Sequence, residues 1–253
     1  MRTRWVRALA ALFAVSWFVL PGFGLIDLSV TWSSDWPQAL EAGWGLFSTL
    51  IVGAAFVLLA LRPRALVAAT LQLAVGTASL VVAAAVAREP GLLWLAAVMG
   101  FQSAIVIGLS QRRRGGPPNG QPVSRPLLFV AATGTVPWLA YALRMWDLNR
   151  ANRPIDVSLG VDHYSMQGAL AVVLVLLSVT AALRPAISAF APVCAGVAAF
   201  YLGLVCVAWS DTAGGLSTRW SIAAMAWGAT LVVLALSGQA ASTRLPHSSD
   251  TTA

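Results

Sequence analysis

The chain has 253 residues, 58% of them hydrophobic and only 10% charged. A water-soluble domain of this length carries about 25% charged residues, so the polar coat is missing, and both a soluble enzyme and a disordered chain are excluded. The formal net charge is +7, but the basic residues, all of them Arg, are scattered between apolar runs. Nucleic-acid binding gathers such charges on one solvated face, so no nucleic-acid partner is expected.

Spanning a bilayer takes about 20 apolar residues. Charge-free runs of that order occupy residues 8–26, 42–61, 65–87, 91–110, 126–143, 164–183, 186–209 and 220–238. They predict an all-α, polytopic integral membrane bundle of eight transmembrane helices. The first run follows a basic segment, as in a signal peptide, but closes on Pro21-Gly22-Phe23-Gly24-Leu25 without a small-residue cleavage pattern, which predicts a retained span. Loop 27–41, with Trp32, Trp36 and Pro37, is expected to lie on the outer membrane surface. The links Arg62-Pro63-Arg64, Arg88-Glu89-Pro90 and Arg184-Pro185 are short, and each holds a proline, which cannot continue a helix. They predict antiparallel hairpins. Gln72 and Gln102 are expected to hydrogen-bond across helix pairs. Cys194 and Cys206 are about 18 Å apart along one helix, too far to bond, and read as small buried hydrophobes. Residues 239–253 are polar and aperiodic and are expected to form a disordered cytoplasmic tail.

Eleven arginines flank the spans on one side and five on the other. By the positive-inside rule, both termini are cytoplasmic in a cell membrane. Eight of the nine acids fall on the outer side: Asp27, Asp35, Glu41, Glu89, Asp147, Asp156, Asp162 and Asp211.

An internal repeat is also legible. Ala60-Leu61-Arg62-Pro63 returns as Ala182-Leu183-Arg184-Pro185. Upstream, Ile26-Asp27-Leu28-Ser29, Asp35-Trp36 and Gln38-Ala39-Leu40 parallel Ile155-Asp156-Val157-Ser158, Asp162-His163 and Gln167-Gly168-Ala169-Leu170. This predicts a parallel 4+4 duplication, with residues 1–110 and 126–238 as four-helix halves and 111–125 as a cytoplasmic linker. Pro21 and Gly22 in the first span and Gly134 and Pro137 in the fifth would then be helix breaks at matching places, a pattern that marks central sites in transporters.

The residues with chemistry cluster outside the spans. Asp156, Asp162 and His163 precede the sixth span, and Asp35 and Glu41 precede the second. Together they are candidates for acid–base catalysis, and Asp162 with His163 for metal binding. Helix caps and loop ion pairs, which are far commoner than sites, account for the same residues. Seven tryptophans, Trp32, Trp36, Trp44, Trp94, Trp146, Trp209 and Trp220, fall near the outer boundary and read as an interfacial belt. No ionisable group lies well inside a span, which argues against a proton pump and against haem held between helices. No nucleotide motif appears, and no cofactor is expected. Three functional readings remain. The first is a non-catalytic, permease-like bundle binding a lipid or small molecule. The second is an enzyme acting on a lipid or isoprenoid at the outer face. The third is a scaffold packed against a membrane-protein partner.

Overall fold

The computed structural model describes residues 2–110, 123–151, 157–185 and 189–244. Ten helices make up nearly all of it. They are α1 (Arg2–Phe18), α2 (Gly24–Val30), α3 (Gln38–Leu46), α4 (Ala54–Leu61), α5 (Leu66–Ala87), α6 (Gly91–Leu109), α7 (Arg125–Arg150), α8 (His163–Leu183), α9 (Phe190–Ala208) and α10 (Thr218–Arg244). A π-helical stretch, Phe47–Gly53, joins α3 to α4 into one continuous span. Seven helices are long and apolar enough to cross a membrane, which fits a multi-pass membrane protein. Phe101, Phe129 and Val136 are about 70% exposed or more. A soluble fold does not tolerate such an apolar surface, whereas lipid covers it.

The first predicted run does not form one helix. Helix α1 begins earlier, at Arg2, and ends at Phe18. Pro21 lacks an N–H, and Phe23 takes a left-handed φ of 57°, so the chain turns before α2 starts at Gly24. Loop 27–41 is more deeply set than a surface loop. Asp27, Thr31, Gln38 and Glu41 are buried, whereas Trp32, Asp35 and Trp36 are exposed. The second span starts at Gln38, one turn before the predicted position, because the Pro37 carbonyl accepts the N–H groups of Leu40 and Glu41. Helix α7 runs two turns past its apolar stretch to Arg150, where Asp147 and Arg150 pair one turn apart.

The expected break at Gly134 and Pro137 is absent: α7 passes through both without interruption. A proline costs a helix one hydrogen bond, and neighbouring helices in a membrane bundle compensate for it. Matching breaks in the two halves are therefore not found. Helix α10 likewise continues to Arg244, beyond the expected end at 238, while residues 245–253 lie outside the described residues, as do 111–122 of the linker.

Successive spans alternate in direction, and polar contacts pin both ends of the bundle. At the lower end, Arg7 Nε donates to the Ala60 carbonyl and Ser124 N–H to the Ala182 carbonyl. At the upper end, Asn149 Nδ2 donates to the Ala87 carbonyl, and Thr212 Oγ1 accepts the Ala39 N–H. Helix α1 lies along the α3–α4 span, and α5 along α6; α7 lies along α8, and α9 along α10. The inner spans form the centre, where α3 meets α8 and α9, and α5 meets α8. Both glutamines bridge helices as expected. Gln72 Nε2 donates to the Leu50 and Ile51 carbonyls of the π-helical stretch at 3.0 and 2.9 Å. Gln102 Oε1 accepts the Trp17 indole N–H at 2.7 Å.

Candidate functional site

Two features stand out, a buried polar cluster at the upper end of the bundle and an apolar cleft that runs along it. The cluster assembles where α3 and α8 begin. A short hairpin, β1 (Val157–Ser158) and β2 (Val161–Asp162), precedes α8, with Val157 paired to Asp162 and Ser158 to Val161. Its turn residues Leu159 and Gly160 both take positive φ, 55° and 76°, as tight hairpin turns of the I′ kind require. Asp162 then caps α8, accepting the Tyr164 N–H on Oδ1 at 2.8 Å. That contact satisfies one of the amides that a helix start leaves open.

The hairpin and this cap fix His163 as the first residue of α8. Its ring is fully enclosed and stacks on Trp44 of α3, with centroids 4.9 Å apart and planes 26° from parallel. Trp44 is itself locked, its indole N–H donating to the Gly22 carbonyl at 2.9 Å. Trp44 and Trp146 are buried and so depart from the expected interfacial belt. Glu41 lies one turn before Trp44, so both project from the same face of α3. Glu41 Oε1 stands 3.6 Å from His163 Nδ1, with both side chains at most 3% exposed. The opposite nitrogen, Nε2, is 3.0 Å from Ser158 Oγ. One turn along α8, Gln167 Nε2 donates to the Tyr141 hydroxyl at 2.7 Å, and that hydroxyl donates to the Gly214 carbonyl.

Of the residues singled out in the sequence, Glu41 and His163 meet. Asp162 serves the helix start. Asp35 stays at the surface, where its backbone and carboxylate contact Ser33 Oγ. Asp156 lies outside the described residues. Among the described residues, no three His, Cys, Asp or Glu side chains gather as a metal site would require. Ser158 was not singled out as a site residue, because a serine in a polar loop carries no signal until a hairpin turns it back onto His163.

The cleft opens between α7 and α10. These helices pack tightly on α8 and α9 respectively but only loosely on each other. The space between them has a volume of about 680 Å³. Trp138, Tyr141 and Trp227 form its aromatic wall, with Trp138 edge-on to both neighbours at ring-centroid distances of 5.9 Å. Gly134 lines the cleft too. A β-carbon there would fall 2.3 Å from the Trp227 indole nitrogen, so the glycine lets that ring lie flat on α7. The Trp227 indole N–H donates to the Val130 carbonyl at 2.7 Å. Arg144 lines the upper end of the cleft. Among the described residues, no carboxylate pairs with it. Pro21 and Gly22 lie apart from the cleft.

No protein-family model, curated protein or solved structure matches the chain.

Proposed function

We propose that this protein is a multi-pass membrane protein that binds one amphiphile, a lipid or isoprenoid chain with a polar head, in the cleft between α7 and α10. The observation that carries this reading is the composition of that cleft. A volume of about 680 Å³ lined by aromatic and small apolar side chains suits an extended hydrocarbon chain, since rigid aromatic rings offer a large apolar area at low entropic cost. Arg144 at one end supplies the polar group that orients such a ligand. The test is lipid retention. Protein extracted in mild detergent should carry a bound amphiphile in native mass spectrometry, and Ala223→Trp, which fills the cleft from α10, should lose it. Equal retention in that variant would remove the reading.

We further propose that α1 is an eighth crossing, that both termini are cytoplasmic and that the two halves are parallel repeats. Helix α1 is about 26 Å long, its charges Arg2, Arg4 and Arg7 all lie in its first two turns, and Leu12 and Val15, with Val19 and Leu20 just beyond its end, are exposed as lipid-facing residues are. The repeat is supported by the packing order. Within each half the first span lies along the second and the third along the fourth. In each half one indole N–H ties the first span to the fourth, Trp17 to Gln102 between α1 and α6 and Trp227 to the Val130 carbonyl between α10 and α7.

A further inference from the structure

We propose that Ser158, His163 and Glu41 form a nucleophilic relay for acyl transfer, with a carboxylic ester of an amphiphile at the membrane surface as substrate. The proposal is independent of the cleft. It starts from the order of the three groups. Ser158 Oγ is 3.0 Å from Nε2 of the imidazole, and the Glu41 carboxylate lies off the opposite nitrogen, Nδ1, at 3.6 Å. A serine, a base and a carboxylate on opposite ring nitrogens are the parts such a relay needs, and it is recognised by geometry rather than by fold or chain order.

The tautomer follows from the surroundings. A carboxylate beside Nδ1 favours the form with the proton on that nitrogen. That leaves the Nε2 lone pair to accept the Ser158 O–H. The contact to Glu41 is longer than a hydrogen bond, and contacts of this kind tighten as positive charge develops on the ring during reaction. Stacking on Trp44, itself anchored to the Gly22 carbonyl, prevents the ring from turning. Asp162 accepts the Tyr164 N–H at the helix start, and Glu41 is the carboxylate whose oxygen stands off Nδ1. The base is enclosed whereas Ser158 is only half-buried, so the nucleophile is the member of the set that faces outward. Its position at the end of an apolar bundle brings it to esters already partitioned into the bilayer.

The step balances without a further reagent except water. Ser158 Oγ attacks the ester carbonyl carbon, its proton passes to His163 Nε2, and the carbonyl electron pair moves onto oxygen. Collapse of this intermediate breaks the bond to the alcohol oxygen, which takes the proton back from Nε2 and departs, leaving an ester on Ser158. A water molecule then attacks, giving its proton to His163, and release of the carboxylic acid restores the serine hydroxyl.

The test uses the full chain in mild detergent with a fluorophosphonate probe, followed by peptide mass spectrometry. The wild type is expected to acquire one adduct, on Ser158, and Ser158→Ala none. His163→Gln should slow labelling by about 10²-fold or more, as loss of a positioned base does, and Glu41→Gln should slow it to a smaller degree. Thermal unfolding of each variant separates loss of reactivity from loss of fold. If His163→Gln does not fold, Glu41→Gln carries the comparison. A folded wild type without an adduct on Ser158 overturns the proposal, and so does a labelling rate that neither the His163 nor the Glu41 substitution changes.

Discussion

Gly43 on α3 and Gln167 on α8 face each other so closely that a β-carbon on Gly43 would lie 1.3 Å from Gln167 Oε1. The amide cannot swing aside freely, because its nitrogen is held by Tyr141 and Tyr141 is held by Gly214. Gly43→Ala is therefore expected to cost at least the ~1–3 kcal/mol typical of overpacking. In a Gln167→Ala background the obstruction is gone, and the same substitution should cost less than about 1 kcal/mol. A double-mutant cycle on thermal unfolding in detergent measures this coupling. Additive effects would show that the contact is not the cause.

Gln72 supplies donors to two carbonyls of the π-helical stretch. Replacing it with leucine keeps the bulk but leaves both buried carbonyls without that donor, at a cost of about 1–3 kcal/mol. For a chain of this size the melting temperature should fall by roughly 2–4 °C per kcal/mol. A melting temperature for Gln72→Leu equal to that of the wild type would mean that these bonds carry no net stability.

Arg144 is the charged member of the cleft lining. If it orients an amphiphile through an anionic head, Arg144→Gln should reduce retention of anionic lipids several-fold and leave zwitterionic ones unaffected. Native mass spectrometry after incubation with defined lipid mixtures reads this ratio. An unchanged ratio would assign Arg144 no part in head-group choice.

Topology is tested in intact cells. With Cys194→Ala and Cys206→Ala as background, Ser34→Cys in the exposed turn before α3 should react with a membrane-impermeant maleimide, whereas Arg62→Cys at the opposite end should react only after lysis. The reverse pattern would invert the proposed orientation.

Hydropathy alone located the long helices, because lipid demands continuous apolar runs and hides nothing behind periodicity. What it could not locate depends on three-dimensional contacts. Glu41 reads as the end of a polar loop, yet Pro37 starts the helix early and carries Glu41 into the packed interior. Trp44 reads as an interfacial residue and instead supports His163. Gly134 and Pro137 read as a break, but a rigid bundle holds α7 straight through both. Ser158 carried no signal of chemistry in the sequence, since its contact with His163 depends on two left-handed residues reversing the chain. Gln72 and Gln102 were legible for the opposite reason: an amide inside an apolar run has to find a partner across a helix pair.

The π-helical stretch Phe47–Gly53 has a consequence for how the span works as a mechanical part. A π turn holds more residues than an α turn, so it advances the angular phase of everything above it relative to everything below. Phe56 and Leu59 in α4 pack into the lower core, while Glu41 and Trp44 in α3 aim at His163. If the same seven residues took α geometry instead, the upper segment would rotate by roughly one residue's turn, about 100°, about its axis, because each α residue turns the chain further than each π residue. The lower packing would survive, but Glu41 and Trp44 would turn away from the imidazole. This offset sets the angular phase between the lipid-embedded half of the span and its polar end.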